Sequence, residues 1–193
     1  MKKFLFTALP ALLLWGCYPA GPEYYEDLDV VVTSFDKSFD FASKGTYAMP
    51  DKIVKVSAEI GSDPEYVKEP QNTQILSRIE SNMTALGYTR VEDPADADLT
   101  LFPAAWTNTT IYYWYDYWCW YYPYYCGYGW GYPSVSSYTT GTLVMTLVTD
   151  GFIEPERVWT SAINGLLTRG SNITRVNKAI DQAFAQSPYL KTN

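Results

Sequence analysis

Apolar residues recur along this chain with two different periods, and the switches between them lay out its elements. Between Asn72 and Leu86, the residues Ile75, Ile79, Met83 and Leu86 return every three or four positions, the spacing of one face of a helix. Asn72 or Thr73 can cap its start, and Gly87 suits a left-handed stop. A second helical stripe, Ile173, Val176, Ile180 and Phe184, starts near Ser171 or Asn172, with Pro188 beyond its end. Elsewhere the pattern is that of strands. Val30 to Thr33 is β-branched throughout, and Thr46 to Met49 and Asp98 to Phe102 are short apolar runs. In Gly141 to Thr149, Leu143, Met145 and Leu147 oppose Val144, Thr146 and Val148, so both faces are apolar and the strand is central and covered on both sides. Arg157 to Leu167 is its antiparallel partner, joined through a turn at Asp150-Gly151. Residues 50–70, rich in proline and charge, read as a loop with a short strand at Ile53 to Val56. The order β-β-α-β-β-β-α predicts an α+β domain: two helices packed on a mostly antiparallel sheet, with a long aromatic hairpin inserted at residues 106–138.

The front of the chain follows a different rule. Lys2 and Lys3 precede an apolar run from Phe4 to Trp15, the order of a secretory signal peptide. About a dozen apolar residues are too few to span a bilayer. The run closes on Leu14-Trp15-Gly16-Cys17, which resembles a bacterial lipobox. That resemblance implies cleavage before Cys17, lipidation of Cys17 and a mature chain anchored to an envelope membrane. Residues 1–16 then form the signal peptide, 17–29 an acidic tether broken by Pro19, Gly21 and Pro22, and 30–190 a single domain. Tyr18, rather than aspartate, after the lipidated cysteine favours the outer membrane.

Charge narrows the partners. Without Lys2 and Lys3 the mature chain carries 12 basic against 21 acidic residues, a net charge of −9. Such a domain repels phosphate backbones, so nucleic acid is not an expected partner. It also repels an anionic bilayer, which leaves the acyl chains at Cys17 to hold it there. The chain has no histidine, which removes Ser-His-Asp and Cys-His catalysis and the zinc sites that need a His ligand. No cofactor or metal is expected. Cys119 and Cys126 remain after Cys17. In an exported chain the default reading is a disulfide, which closes an eight-residue loop and is worth about 2.5 kcal/mol. A pair of metal-binding thiolates is the rival, with two further ligands missing nearby.

Several landmarks, in order, resemble a family of envelope lipoproteins known as domain of unknown function 4136. At the front these are Phe35-Asp36, Phe39-Asp40-Phe41 and Thr46-Tyr47-Ala48. In the middle they are Leu86-Gly87-Tyr88 and Ala97-Asp98-Leu99. At the back they are Gly141-Thr142-Leu143, Asp150, Val158-Trp159, Ala162, Gly165, Ala179-Ile180 and Phe184. The resemblance covers about residues 28 to 190. It implies a lipid-anchored envelope protein and no particular activity.

The densest chemistry lies in residues 112–132. Fourteen of these 21 residues are Tyr or Trp, and Asp116 is the only charge. Three readings stand side by side: a self-packed hairpin pinned by the disulfide, a platform for sugar faces or apolar peptide, and contact with a bilayer surface, where Tyr and Trp settle at headgroup level. Stacking on single-stranded nucleic acid needs a basic groove, and the window holds no Lys or Arg. The residues assigned to contact are Trp114, Trp118, Trp120, Tyr121, Tyr124 and Trp130.

Two acidic groups are weighed and set aside. Asp150, Glu154 and Glu156 in a turn, and Asp93, Asp96 and Asp98 before a strand, read first as solvated or capping residues rather than as carboxylates for glycoside hydrolysis or calcium. Gly127 to Gly131 reads as a flexible turn, lacking the strand and helix of a dinucleotide fingerprint. Asn82, Asn108 and Asn172 fit a glycosylation pattern that a bacterial lipobox makes a poor reading. The expected function is a non-enzymatic, membrane-anchored binding or structural module with an envelope glycan or protein as partner. The alternative is a glycan-directed envelope hydrolase using acidic residues.

Overall fold

A computed structural model describes residues 30–56, 64–106, 110–113, 135–138, 141–149, 156–164 and 172–193. The signal peptide and tether, 1–29, and the tip of the insertion, 114–134, lie outside the described residues. The strands, in chain order, are β1 (Val31–Phe35), β2 (Thr46–Ala48), β3 (Val54–Val56), β4 (Glu65–Tyr66), β5 (Thr89–Arg90), β6 (Leu99–Trp106), β7 (Thr110–Tyr113), β8 (Val135–Tyr138), β9 (Thr142–Thr149) and β10 (Arg157–Ile163). The helices are α1 (Gln71–Ala85) and α2 (Ile173–Ala185).

The sheet is built on β6 and β9. They pair antiparallel over eight residues, from Leu99 opposite Thr149 to Trp106 opposite Thr142. β9 pairs antiparallel with β10, and β10 with β1. The other edge of β6 is shared by two parallel strands in series: β2 runs beside Leu99 and Thr100, and β3 beside Ala104 to Trp106. Pro103 falls at the change of partner, where a residue without an N–H costs the ladder least. β5 continues the sheet beyond β2, and β4 beyond β3. The fold is thus α+β with a mostly antiparallel, partly mixed sheet.

Alternation along these strands sends successive side chains to opposite faces. One face carries Leu99, Leu101, Leu143, Met145, Leu147, Trp159 and Ile163, and the helices cover it with Ile75, Ile79, Met83, Val176, Ile180 and Phe184. Trp159 is fully buried and stacks on Phe184 at 5.5 Å. Its Nε1 donates to Ser187 Oγ at 3.0 Å, which satisfies the indole inside the core. The other face carries a smaller cluster, Val54, Val56, Phe102, Ala104, Trp106 and Val144. Arg78 on α1 donates to both carboxylate oxygens of Asp181 on α2, and Asn82 adds a bond to Oδ1 at 2.9 Å, so one acid joins the two helices.

Four details depart from the sequence reading. Asn72 is not the cap of α1: Pro70 holds that position without a side-chain bond. Asn72 is buried instead, accepting from Ile53 N at 2.9 Å and donating to Asp51 O at 2.9 Å, while Glu69 accepts from Thr73 N at 3.1 Å. The loop at 50–70 contains β4 as well as β3, and β5 follows Tyr88. β6 extends four residues past Phe102 to Trp106 because its C-terminal half has its own parallel neighbour, β3. β10 ends at Ile163 with a turn at Asn164, and residues 165–167 of the expected strand lie outside the described residues; Val31 of β1 pairs Ile163, and Asn164 N donates to Val30 O. Gly87 does take the left-handed turn, at φ +102°, and any Cβ there would collide with Thr192 Oγ1. Asn172 caps α2, accepting from Thr174 N at 2.9 Å.

Candidate functional site

The insertion leaves the sheet as a ribbon. β7 and β8 pair antiparallel with each other, forming a two-stranded sheet distinct from the eight-stranded one among the described residues. Trp106 faces Thr142 at the end of the first ladder, and Thr110 faces Tyr138 at the start of the second. Both chains therefore advance by the same number of residues between the ladders, and the register of β6 and β9 is carried into the ribbon. Thr110, Ile111, Tyr112, Tyr113, Val135 and Tyr138 are the β-branched and aromatic types that strands favour.

Its root is closely held. Gly141, at φ +81°, donates its N–H to Trp106 O at 2.7 Å. Thr142 Oγ1 donates to Asn164 Oδ1 at 2.9 Å, tying β9 to the chain that follows β10. Trp106 and Thr142 are both buried. The residues assigned to contact, Trp114, Trp118, Trp120, Tyr121, Tyr124 and Trp130, lie outside the described residues, as do Cys17, Cys119 and Cys126.

A second feature was not singled out in the sequence. Met49, Asp51, Glu80, Arg90, Val91 and Glu92 line an open groove of about 540 Å³ between α1 and the β5 edge. Arg90 makes the polar contacts that join its walls. One of its terminal nitrogens donates to Met49 O at 2.9 Å and Asp51 Oδ1 at 2.6 Å, and the other to Glu80 Oε2 at 3.3 Å. Burial alone would lower the Arg90 pKa, but the hydrogen bonds and charges of Asp51 and Glu80 outweigh it and hold the guanidinium above its ordinary value. Tyr47 pairs with Arg90 across β2 and β5. Burial, and next the charge of Glu80, push its phenol far above the ordinary tyrosine range. The groove is drawn from three separate segments, 49–51, 80 and 90–92, so no local motif announces it. Two of its carboxylates, Asp51 and Glu80, are engaged by Arg90, which clamps the link between β2 and β3.

Two of the three acidic residues before β6, Asp93 and Asp98, act as caps. Asp98 accepts from Gly45 N at 2.8 Å, Thr46 N at 2.9 Å and Thr46 Oγ1 at 3.0 Å, and those backbone bonds hold its carboxyl below the usual range. Asp93 accepts from Ala95 N at 2.9 Å. Asp150 and Glu154 lie outside the described residues, and Glu156 is exposed. Among the described residues no group of three or more His, Cys, Asp or Glu side chains could hold a metal ion, and no helix is long and apolar enough to cross a membrane.

The model of one protein family, described as domain of unknown function (DUF4136), matches residues 31–189. The chain belongs to the DUF4136 family. A crystal structure of a DUF4136 family protein from Bacteroides thetaiotaomicron is similar, with a TM-score of 0.66 and 29% sequence identity over 84% of this chain and 97% of that one. Two crystal structures of the PelC dodecamer from Paraburkholderia phytofirmans are more distant. They have TM-scores of 0.45 and 0.44 and identities of 11% and 13%, and cover 84% and 86% of this chain and 98% and 99% of theirs. No curated protein is similar enough to this chain to match it.

Proposed function

We propose that this DUF4136 protein is a lipid-anchored component of the bacterial cell envelope, a non-enzymatic binding module whose aromatic hairpin is the contact surface. The observation that carries the reading is the ribbon β7–β8. It prolongs the register of the two central strands, yet pairs with none of the eight strands of the main sheet among the described residues. The Tyr- and Trp-rich segment between Tyr113 and Val135 is read from its sequence as an addition to the core. Large amphipathic rings are the usual anchors of recognition surfaces. The lipobox at Leu14 to Cys17 supports the envelope setting, and the outer membrane is its expected site.

The test is paired. Residues 112–132 are replaced by a short Gly-Ser turn, and the variant is compared with its parent by thermal unfolding and by retention on purified peptidoglycan, polysaccharide and lipid vesicles. The expected result is a folded variant within a few degrees of the parent that has lost retention. An unfolded variant would make the aromatic run part of the core and overturn the reading. Fatty-acid labelling of parent and Cys17→Ser tests the anchor separately: equal labelling of the two would remove it.

A further inference from the structure

β1 is the outer strand of the main sheet, and one side of its backbone is turned away from it. In an antiparallel ladder, alternate residues direct their N–H and C=O groups toward the partner strand, and the residues between direct theirs outward. Asn164 donates its N–H to Val30 O at 3.1 Å, and Asp36 donates its N–H to Val158 O at 2.9 Å. With Val31 opposite Ile163 and Phe35 opposite Trp159, the even-numbered residues of β1 are therefore the ones bonded to β10. The N–H and C=O groups of Val31, Thr33 and Phe35 point outward, to the side where no other described strand pairs with β1.

Nothing in β1 guards this edge. Sheets blunt an open edge with lysine, proline, a bulge or a very short strand. β1 reads Val-Val-Thr-Ser-Phe, carries no charge and follows β10 in unbroken register over five residues. Val31 and Phe35 pack against the helix-covered core, and Phe35 stacks on Tyr189 at 3.6 Å. Alternation places Val30, Val32 and Ser34 on the other face. Val30 and Val32 are the exposed large hydrophobic residues among the described ones, at 52% and 53% exposure.

We infer that the β1 edge is a self-association surface and that its partner is β1 of a second copy of this chain, added antiparallel about a two-fold axis at Thr33. The outward groups set that register. Thr33 opposite Thr33 of the second copy places Val31 opposite Phe35 in both directions, so every outward N–H and C=O of β1 enters a mutually bonded pair. Moving the axis to a neighbouring residue leaves Val31 or Phe35 facing a residue beyond β1. The side chains agree with the backbone. Val31 and Phe35 form a β-branched and aromatic cross-strand pair, and the two copies of Val32 become diagonal neighbours that cover each other's apolar surface. A chain of net charge −7 repels its own copies, and β1 brings no like charges face to face, since Asp36 meets Val30. The far flank offers only the two-residue strands β4 and β5, so the two-fold contact closes at a dimer that joins two eight-stranded sheets. This inference is independent of the hairpin and of the lipid anchor.

The experiment measures the mass of the full chain by sedimentation equilibrium in density-matched detergent over a range of concentrations. The parent should pass from monomer to dimer, and Val32→Lys should weaken the dimer by about tenfold or more. Val32 is exposed, so the variant should keep the parent's thermal transition. Gln74→Lys makes the same charge change at an exposed position of α1 and should dimerise as the parent does. A parent that stays monomeric, or a Val32→Lys chain that associates as strongly, overturns the inference. The register is read separately, in a Cys119→Ser, Cys126→Ser background. Directly opposed residues of a bonded pair lie about 5.5 Å apart at Cα, within disulfide range. Mild oxidation should therefore link Thr33→Cys chains into a covalent dimer. It should leave Gln74→Cys chains, and the background that keeps Cys17, unlinked. No link at Thr33, or equal linking at Gln74, overturns the register. A monomeric parent that captures a peptide copying residues 30–36 makes an extended peptide the occupant and overturns the second copy.

Discussion

The two faces of the sheet bury similar numbers of β6 and β9 side chains and do so with different chemistry. The face under the helices is filled by Leu, Met, Ile and Trp, with Trp159 at its centre and Phe184 stacked on it. The opposite face mixes Val, Ala, Phe and Trp with threonines: Thr146 of β9 lies directly across from Thr160 of β10, both buried. Neither hydroxyl has a hydrogen-bond partner. Large, well-fitted apolar chains tie helices to the sheet on one side. Small and hydroxylated chains fill the other. The helix-covered face holds the fold, and the opposite face tolerates polar groups that a densely packed core would exclude.

Three changes sharpen that contrast. The largest effect is expected at Trp159→Ala, which removes the central ring of the helix-covered face and leaves Ser187 Oγ without its indole donor. The loss should be about 3–5 kcal/mol by urea unfolding, with the transition temperature falling by about 10 °C or more. A loss below about 1 kcal/mol would mean that this face does not dominate.

A middle-sized effect belongs to the edge that serves both faces. The Asp98 carboxyl is held below its ordinary value by the N–H groups of Gly45 and Thr46. A group whose folded pKa is depressed adds stability above its unfolded value and loses it as pH falls through the folded one. The parent should therefore lose stability as pH drops below about 4, and Asp98→Asn should flatten that part of the profile while lowering stability at neutral pH. Superimposable profiles for parent and variant between pH 6 and pH 2 would refute this role.

The smallest effect has the opposite sign. Thr146→Val replaces an unpartnered buried hydroxyl by a methyl group of nearly the same shape and should stabilise the domain by about 1 kcal/mol. Destabilisation of that size would show that the hydroxyl is satisfied and that the two faces are more alike than their composition implies.

Much of this architecture was legible in the chain. The three- and four-residue spacing of Ile75, Ile79 and Met83 placed α1, and the double-sided apolar pattern of 141–149 marked β9 as central. The two-residue strands β4 and β5 were invisible because periodicity needs more than one repeat to register. The parallel neighbours of β6 were invisible because alternation tells which face a residue takes and not which strand lies beside it. Asn72 is instructive: its side chain can cap a helix or bridge two loop groups, and only the position of residues 51–53 decides between them. Asp98 was read correctly as a cap because an acid just before a strand has few other local uses. The groove at Arg90 was missed since its members come from three segments. The contact residues of the hairpin and the three cysteines lie outside the described residues, so for them the reading rests on the sequence.

The shared edge of β6 has a consequence for how this chain behaves in a crowd. Because β2 and β3 lie in series, the free flank beyond them is made of β5 and β4, two residues each. A stray extended chain arriving there finds no run of open amides long enough to grip, a natural guard against sheet-to-sheet growth. The opposite flank ends in β1, five residues long, with Val32 exposed on it. Within the main sheet, and among the described residues, an added strand thus finds a longer flank at β1 than at β4 or β5.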